Sequence, residues 1–218
     1  MSPEVFVAAL AGALFGFAAD RLAARWPVHE DGAVRRVDWR TPAVVLASAL
    51  SFGGLLSRWS EPLDVIILGL YFAALIVLLA TDLDQKLLPD LITLPLIGYA
   101  ALVTLLPRIF DVDLNPLLEG KELGYASAIA AAVAAPALLA ITDRIFRGSL
   151  GMGDLKLSVS LGLMSGLSLL FVGFLVATML FAIVVLVLLV FRRISLKTAI
   201  PFGPALIGAG IIAALMGA

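Results

Sequence analysis

The chain has 218 residues, 62% of them hydrophobic and only 14% charged. An ordinary soluble domain has about 45–50% apolar and about 25% charged residues, so this composition excludes a soluble enzyme and a disordered scaffold. A net charge of -1 offers no basic field to nucleic acid. The absence of cysteine excludes disulfides, thiol nucleophiles and cysteine-bound zinc, and a single histidine, His29, excludes any site built on two imidazoles.

The solvent for such a chain is lipid, and the expected fold is all-α and polytopic. A bilayer core takes about 20 apolar residues per helix. Eight stretches of this kind are read along the chain, at 4–26, 42–57, 62–81, 88–106, 122–142, 154–168, 169–191 and 199–217. The first has no basic region before it and keeps Asp20, Arg21 and Arg25 at its far end, so it is read as a retained helix. Gly12 and Gly16, and Gly162 and Gly166, stand four apart and suit close helix packing. The Ala-rich run 128–140 carries Pro136, where a kink is expected. The sixth and seventh stretches are divided only by Gly166, Leu167 and Ser168. The loop 27–41 and the loop 107–121 are too short for folded domains, so the chain is read as one integral membrane domain, 1–218.

Basic residues are retained in cytoplasmic loops, and this sets the orientation. With the N-terminus outside, the inner side holds Arg21, Arg25, Arg35, Arg36, Arg40, Lys86, Arg144, Arg147, Lys156, Arg192, Arg193 and Lys197. The outer side holds Arg58, Arg108 and Lys121. Together these are all 15 basic residues. The bias requires an even number of spans. Arg35, Arg36, Arg144, Arg147, Arg192 and Arg193 are read as orientation signals and lipid contacts, and His29 as a solvated loop residue.

Where charge is scarce, the carboxylates at span ends become informative. Asp82 follows the apolar run 65–80 and opens Asp82-Leu83-Asp84-Gln85-Lys86-Leu87-Leu88-Pro89-Asp90. Asp154 closes Gly151-Met152-Gly153-Asp154 and begins the next apolar stretch. The assumed topology puts both on the cytoplasmic side. Two carboxylates that approach one another cannot both ionise. The ionised one can take a proton from water and the protonated one can polarise a carbonyl, which is peptide hydrolysis without metal, cysteine or histidine. Gly151 and Gly153 would let a substrate backbone come close. Plainer readings stand beside this one. Asp154 could be a helix cap, and the segment 82–90 a solvated loop between two spans.

Taken together, the motifs resemble the type IV prepilin leader peptidases, polytopic aspartic proteases of the Gly-x-Gly-Asp kind. The resemblance rests on the Asp82–Pro89 stretch with the apolar run after it, on Gly151-Met152-Gly153-Asp154-Leu155-Lys156, and on Ile200-Pro201-Phe202-Gly203-Pro204. It covers about 60–215, the expected peptidase core. It implies Asp82 and Asp154 as catalytic residues, with Asp84 and Asp90 close enough in sequence to stay open. Gly151, Gly153, Pro89, Lys156, Pro201 and Gly203 are the candidates for shaping the site. For Lys156 two roles are open, positioning a carboxylate or snorkelling to headgroups, and the second is preferred. Pro201, Gly203 and Pro204 could equally just start a helix.

The implied reaction is endoproteolysis of a prepilin or pilin-like precursor at the cytoplasmic face of the bacterial inner membrane. The implied partners are that precursor and membrane lipid. The N-terminal stretch departs from the family pattern. It reads Gly12-Ala13-Leu14-Phe15-Gly16-Phe17-Ala18-Ala19-Asp20-Arg21-Leu22, and the family's cysteine-bearing insert is reduced to 27–41. The peptidase half needs no cofactor. S-adenosylmethionine enters only if the family's methyl transfer is retained, which the reduced N-terminal region argues against. Three rivals remain: a prepeptidase for archaeal preflagellin or Tad-type pilins, a transporter moving ions or protons through the same aspartates, and an inactive membrane scaffold, which would not need both aspartates. No internal inverted repeat supports the transporter.

Overall fold

The computed structural model describes residues 2–28, 34–110, 114–118, 121–145, 151–190 and 202–217. His29 and Pro201 lie outside them, as do Arg147, Arg192, Arg193 and Lys197. Seven helices make up the described fold: α1 (Pro3–Ala23), α2 (Arg40–Arg58), α3 (Pro62–Gln85), α4 (Asp90–Phe110), α5 (Lys121–Ile145), α6 (Met152–Val190) and α7 (Gly203–Met216). Five of them contain segments long and apolar enough to cross a membrane, namely α1, α2, α3, α5 and α6. The chain is an all-α, polytopic membrane protein.

The expected division inside 154–191 has a physical centre. α6 loses helical geometry at Gly166 alone (φ 66°, ψ -178°), a left-handed backbone that strains any residue bearing a Cβ. The first half of α6 runs alongside α7 in the same direction, with Gly210 against Leu161. The second half runs against α7, with Gly173 facing Ala209 and Ala213, and Gly217 facing Leu169. Gly166 therefore reverses the chain, and seven named helices make eight helical passes. A break at this depth leaves backbone groups without partners, and neighbours must satisfy them. Ser127 Oγ of α5 accepts from the Leu167 N–H at 2.8 Å. Thr104 Oγ1 of α4 donates to the Leu163 carbonyl at 2.9 Å, and Asn115 Nδ2 donates to the Met164 carbonyl at 3.2 Å. Gly166, expected as a packing glycine as well as a break, is chiefly the break. Gly162 does the packing, since an added Cβ there would lie 2.5 Å from the Ala132 nitrogen of α5.

Lipid is as apolar as leucine, so helices associate in it by close fit rather than by escape from water. Gly12 and Gly16 bring α1 onto α2. An added Cβ at Gly12 would lie 2.8 Å from the Ser48 carbonyl oxygen, and Ser48 Oγ donates to the Gly12 carbonyl at 2.6 Å. Pro136 sits inside α5, which continues to Ile145. The centre of the bundle is α3, where Leu68, Tyr71, Phe72, Leu75, Ile76 and Leu78 are fully buried. It starts with proline at its first turn and Asp64 close behind, both favoured at helix N-termini. Its end departs from the expected span. Hydropathy stops at residue 81, but the helix continues through Asp82 and Asp84 to Gln85 and closes on Lys86 in the left-handed conformation, whose N–H bonds the Asp82 carbonyl at 2.8 Å.

Candidate functional site

The C-terminal end of α3 meets the N-terminal ends of α4, α6 and α7 at one end of the bundle. A cleft of about 660 Å³ opens there, and both Asp82 and Asp154 line it. Asp82 lies in the last turn of α3 and is 4% exposed. Asp154 lies in the first turn of α6 and is 8% exposed. The two are close enough to feel each other's charge. Each keeps one buried oxygen with no hydrogen-bond partner, Oδ2 of Asp82 and Oδ1 of Asp154. Buried polar atoms are rarely left so.

Local geometry explains how each carboxylate is held. Asp154 N–H bonds the Gly151 carbonyl at 3.1 Å, and the Gly151 N–H returns a bond to Asp154 Oδ2 at 3.0 Å. This is the reciprocal logic of a helix cap, so the capping reading of Asp154 holds for one oxygen and leaves the other facing the cleft. Gly153 lies against Leu88, and an added Cβ would stand 2.7 Å from that residue's Cβ. The absence of a side chain at Gly153 thus lets the Gly-x-Gly-Asp turn seat on the segment ending in Pro89. Gly203 performs the same service for Asp82: an added Cβ would lie 2.5 Å from Asp82 Oδ2. The first turn of α7 therefore abuts this carboxylate, and a helix N-terminus favours negative charge.

Pro89, Gly151, Gly153 and Lys156 all line the cleft. Lys156 Nζ bonds Asp90 Oδ1 at 2.6 Å, tying the start of α6 to the start of α4 across the mouth. The preferred snorkelling reading of Lys156 gives way to the other one, in which it holds a carboxylate. Pro201 lies outside the described residues. The segment 82–90 is not the solvated loop considered above, because the Asp84 side chain is only 1% exposed.

Among the lining residues not singled out from sequence are Trp26, Lys86 and Phe202. The Trp26-Pro27 pair was visible next to α1. Nothing local says that it comes back to the cleft, which it does through a 2.7 Å bond from Gln85 Nε2 to the Pro27 carbonyl.

A second group of charges lies behind the cleft, and it revises the reading of Arg35 as an orientation signal and lipid contact. Its guanidinium contacts Asp20 of α1, which is fully buried, along with Asp38 at 2.5 Å and Asp84 of α3 at 2.6 Å. Arg21 and Thr41 also contact Asp20, and Arg40 reaches Asp84 at 3.0 Å. Burial works against the Arg35 charge, but the hydrogen bond to Asp20 and the surrounding carboxylates outweigh it and raise its pKa above the ordinary value. Among the described residues no group of three or more His, Cys, Asp or Glu side chains is placed to hold a metal ion.

The class is now defined: a polytopic helical membrane protein in which two buried aspartates from different helices face one cleft. The model of the type IV leader peptidase family matches residues 69–188, more than half of the chain and the whole stretch from α3 into the second half of α6, and the chain belongs to that family. It is 33% identical over 172 residues to the prepilin leader peptidase/N-methyltransferase of Dickeya chrysanthemi, covering 77% of this chain and 56% of that protein. It is 31% identical over 188 residues to the protein of the same name from Pseudomonas putida, covering 84% of this chain and 61% of that protein. The chain thus spans about three fifths of the length of these relatives. No solved structure matches it.

Proposed function

We propose that the protein is an aspartic endopeptidase that removes the leader from prepilin-like precursors, with Asp82 and Asp154 as its catalytic pair. The observation that carries this reading is the two unpartnered carboxylate oxygens, one from each motif, buried in one cleft. One carboxyl keeps a proton and the other is ionised. The ionised oxygen takes a proton from water as that water attacks the scissile carbonyl, and the protonated carboxyl donates to the carbonyl oxygen. The tetrahedral intermediate collapses as the amine leaves with a proton. The pair titrates as a unit, so neither role is tied to one residue. A substrate helix held in the bilayer presents its leader junction at the depth of the cleft, which supplies much of the orientation.

The distribution of basic residues supports an N-terminus outside and a cleft facing the cytoplasm, and the family supports the bacterial inner membrane as the location. The peptidase reading uses no cofactor. Methyl transfer from S-adenosylmethionine is not part of the proposal. At the α1–α2 end the buried carboxylate of Asp20 is held by Arg21, Arg35 and Thr41.

The test is co-expression with a pilin precursor, changing Asp82→Asn and Asp154→Asn separately. Each change is expected to abolish the shift to mature pilin while the protein still accumulates in the membrane. Normal cleavage by both variants would refute the mechanism and favour an ion-binding role for the aspartates. Intact mass of the mature pilin is expected to show a free N-terminal amine, and a gain of one methyl group would bring methyl transfer back.

A further inference from the structure

We infer that Asp84 is a positioning residue, which transmits the hold of the N-terminal segment 20–41 to the catalytic carboxylate of Asp82. This rests on the peptidase reading above and asks what aims Asp82. Residues two apart on a helix point to different sides. Asp82 faces the cleft, while Asp84 faces the opposite way into Arg35, at 2.6 Å, and Arg40, at 3.0 Å. Arg35 is itself clamped by Asp20 of α1 and by Asp38, and Arg40 also lies 3.7 Å from Asp38. The next residue, Gln85, is tied to the Pro27 carbonyl at 2.7 Å.

The last turn of α3 therefore carries two consecutive side chains bound to segments on either side of the stretch 29–33, two and three residues beyond Asp82. A rotation of the turn about the helix axis would swing Asp82 away from Asp154 and from Gly203. The ion pairs of Asp84 oppose that rotation, and the hydrogen bond that Arg40 Nη1 donates to Asp84 Oδ1 fixes direction as well as distance. On this view the short segment 20–41 acts on the chemistry of a core that it does not belong to.

Asp84→Asn is the informative change. It keeps the shape of the side chain, and Arg35 retains Asp20 and Asp38, so the fold should persist. Cleavage of a pilin precursor by the full chain in membranes would be followed at varied substrate concentrations, with Asp82→Asn as control. Asp84→Asn is expected to lower kcat by about 10- to 100-fold, the scale of a misplaced catalytic group, with KM within about twofold. Arg40→Gln removes a partner of Asp84 from a more exposed site and is expected to lower kcat by a smaller factor in the same way. It decides the question if Asp84→Asn does not accumulate. Wild-type kcat in these variants, or a raised KM at unchanged kcat, would overturn the inference. If the Asp82→Asn control itself cleaves, the peptidase reading falls instead.

Discussion

At the scale of single residues, the site depends on what is missing as much as on what is present. Gly203 has no side chain where one would strike the Asp82 carboxylate, at 2.5 Å from Oδ2. The Asp82 side chain must turn about its Cα–Cβ bond to clear an added methyl, because its Cγ would also lie 2.6 Å away, so Gly203→Ala should shift the proposed catalytic group more than the packing. The expected outcome is an activity loss of about 10-fold or more with a melting temperature in detergent unchanged within a few degrees. Equal loss of both would instead mark Gly203 as a packing residue. Gly153→Ala is the contrasting case, because it meets the backbone and Cβ of Leu88, which cannot swing aside, and stability should fall with activity. Much of this residue detail was legible beforehand. Asp82, Asp154 and the glycines stood out because a chain with 14% charged residues leaves few carboxylates to consider. The partners of Arg35 were not legible. Asp20 and Asp84 lie 15 positions before it and 49 after it, no periodicity links them, and an arginine in a basic loop reads the same whether it faces headgroups or buried acids. Lys156 was misread for a similar reason, since its partner Asp90 comes from another motif.

At the scale of elements, hydropathy located the helices and misplaced their ends. Polar residues count against a span even when they are helical, so the reading of 62–81 stopped before the turn that carries Asp82, whereas α3 runs to Gln85. The reverse holds at Gly166, where the chain is almost wholly apolar and only Gly166, Leu167 and Ser168 marked the reversal. That reversal is maintained by a left-handed backbone and by hydrogen bonds borrowed from α4 and α5. Gly166→Ala should destabilise the protein by about 1–3 kcal/mol from backbone strain alone. The added methyl would also lie 2.9 Å from Ser127 Oγ. Ser127→Ala leaves the Leu167 N–H without its acceptor in an apolar setting, a loss of about 1–3 kcal/mol. Thermal unfolding in detergent checks both, and unchanged midpoints would show that the break is held by other means.

At the scale of the whole molecule, the site brings together parts that composition reads as separate. α3, α4, α6 and α7 each contribute one end to the cleft, and the segment after α1 adds Trp26. The topology has a direct check because the chain contains no cysteine, so any introduced thiol reports alone. Ser57 and Val34 are both exposed. A membrane-impermeant thiol reagent should label Ser57→Cys in intact cells, and Val34→Cys only after permeabilisation. The opposite pattern would invert the proposed orientation and move the cleft to the outer face. The claim on which all else turns is that Asp82 and Asp154 work as one unit. Groups that act together lose their effect together. The decisive measurement is therefore the precursor cleavage rate of Asp82→Asn, Asp154→Asn and the double variant under one set of conditions. The expected result is that each single change removes nearly all activity and the double variant is no slower than either. Losses that are modest and multiply in the double variant would contradict a shared catalytic pair.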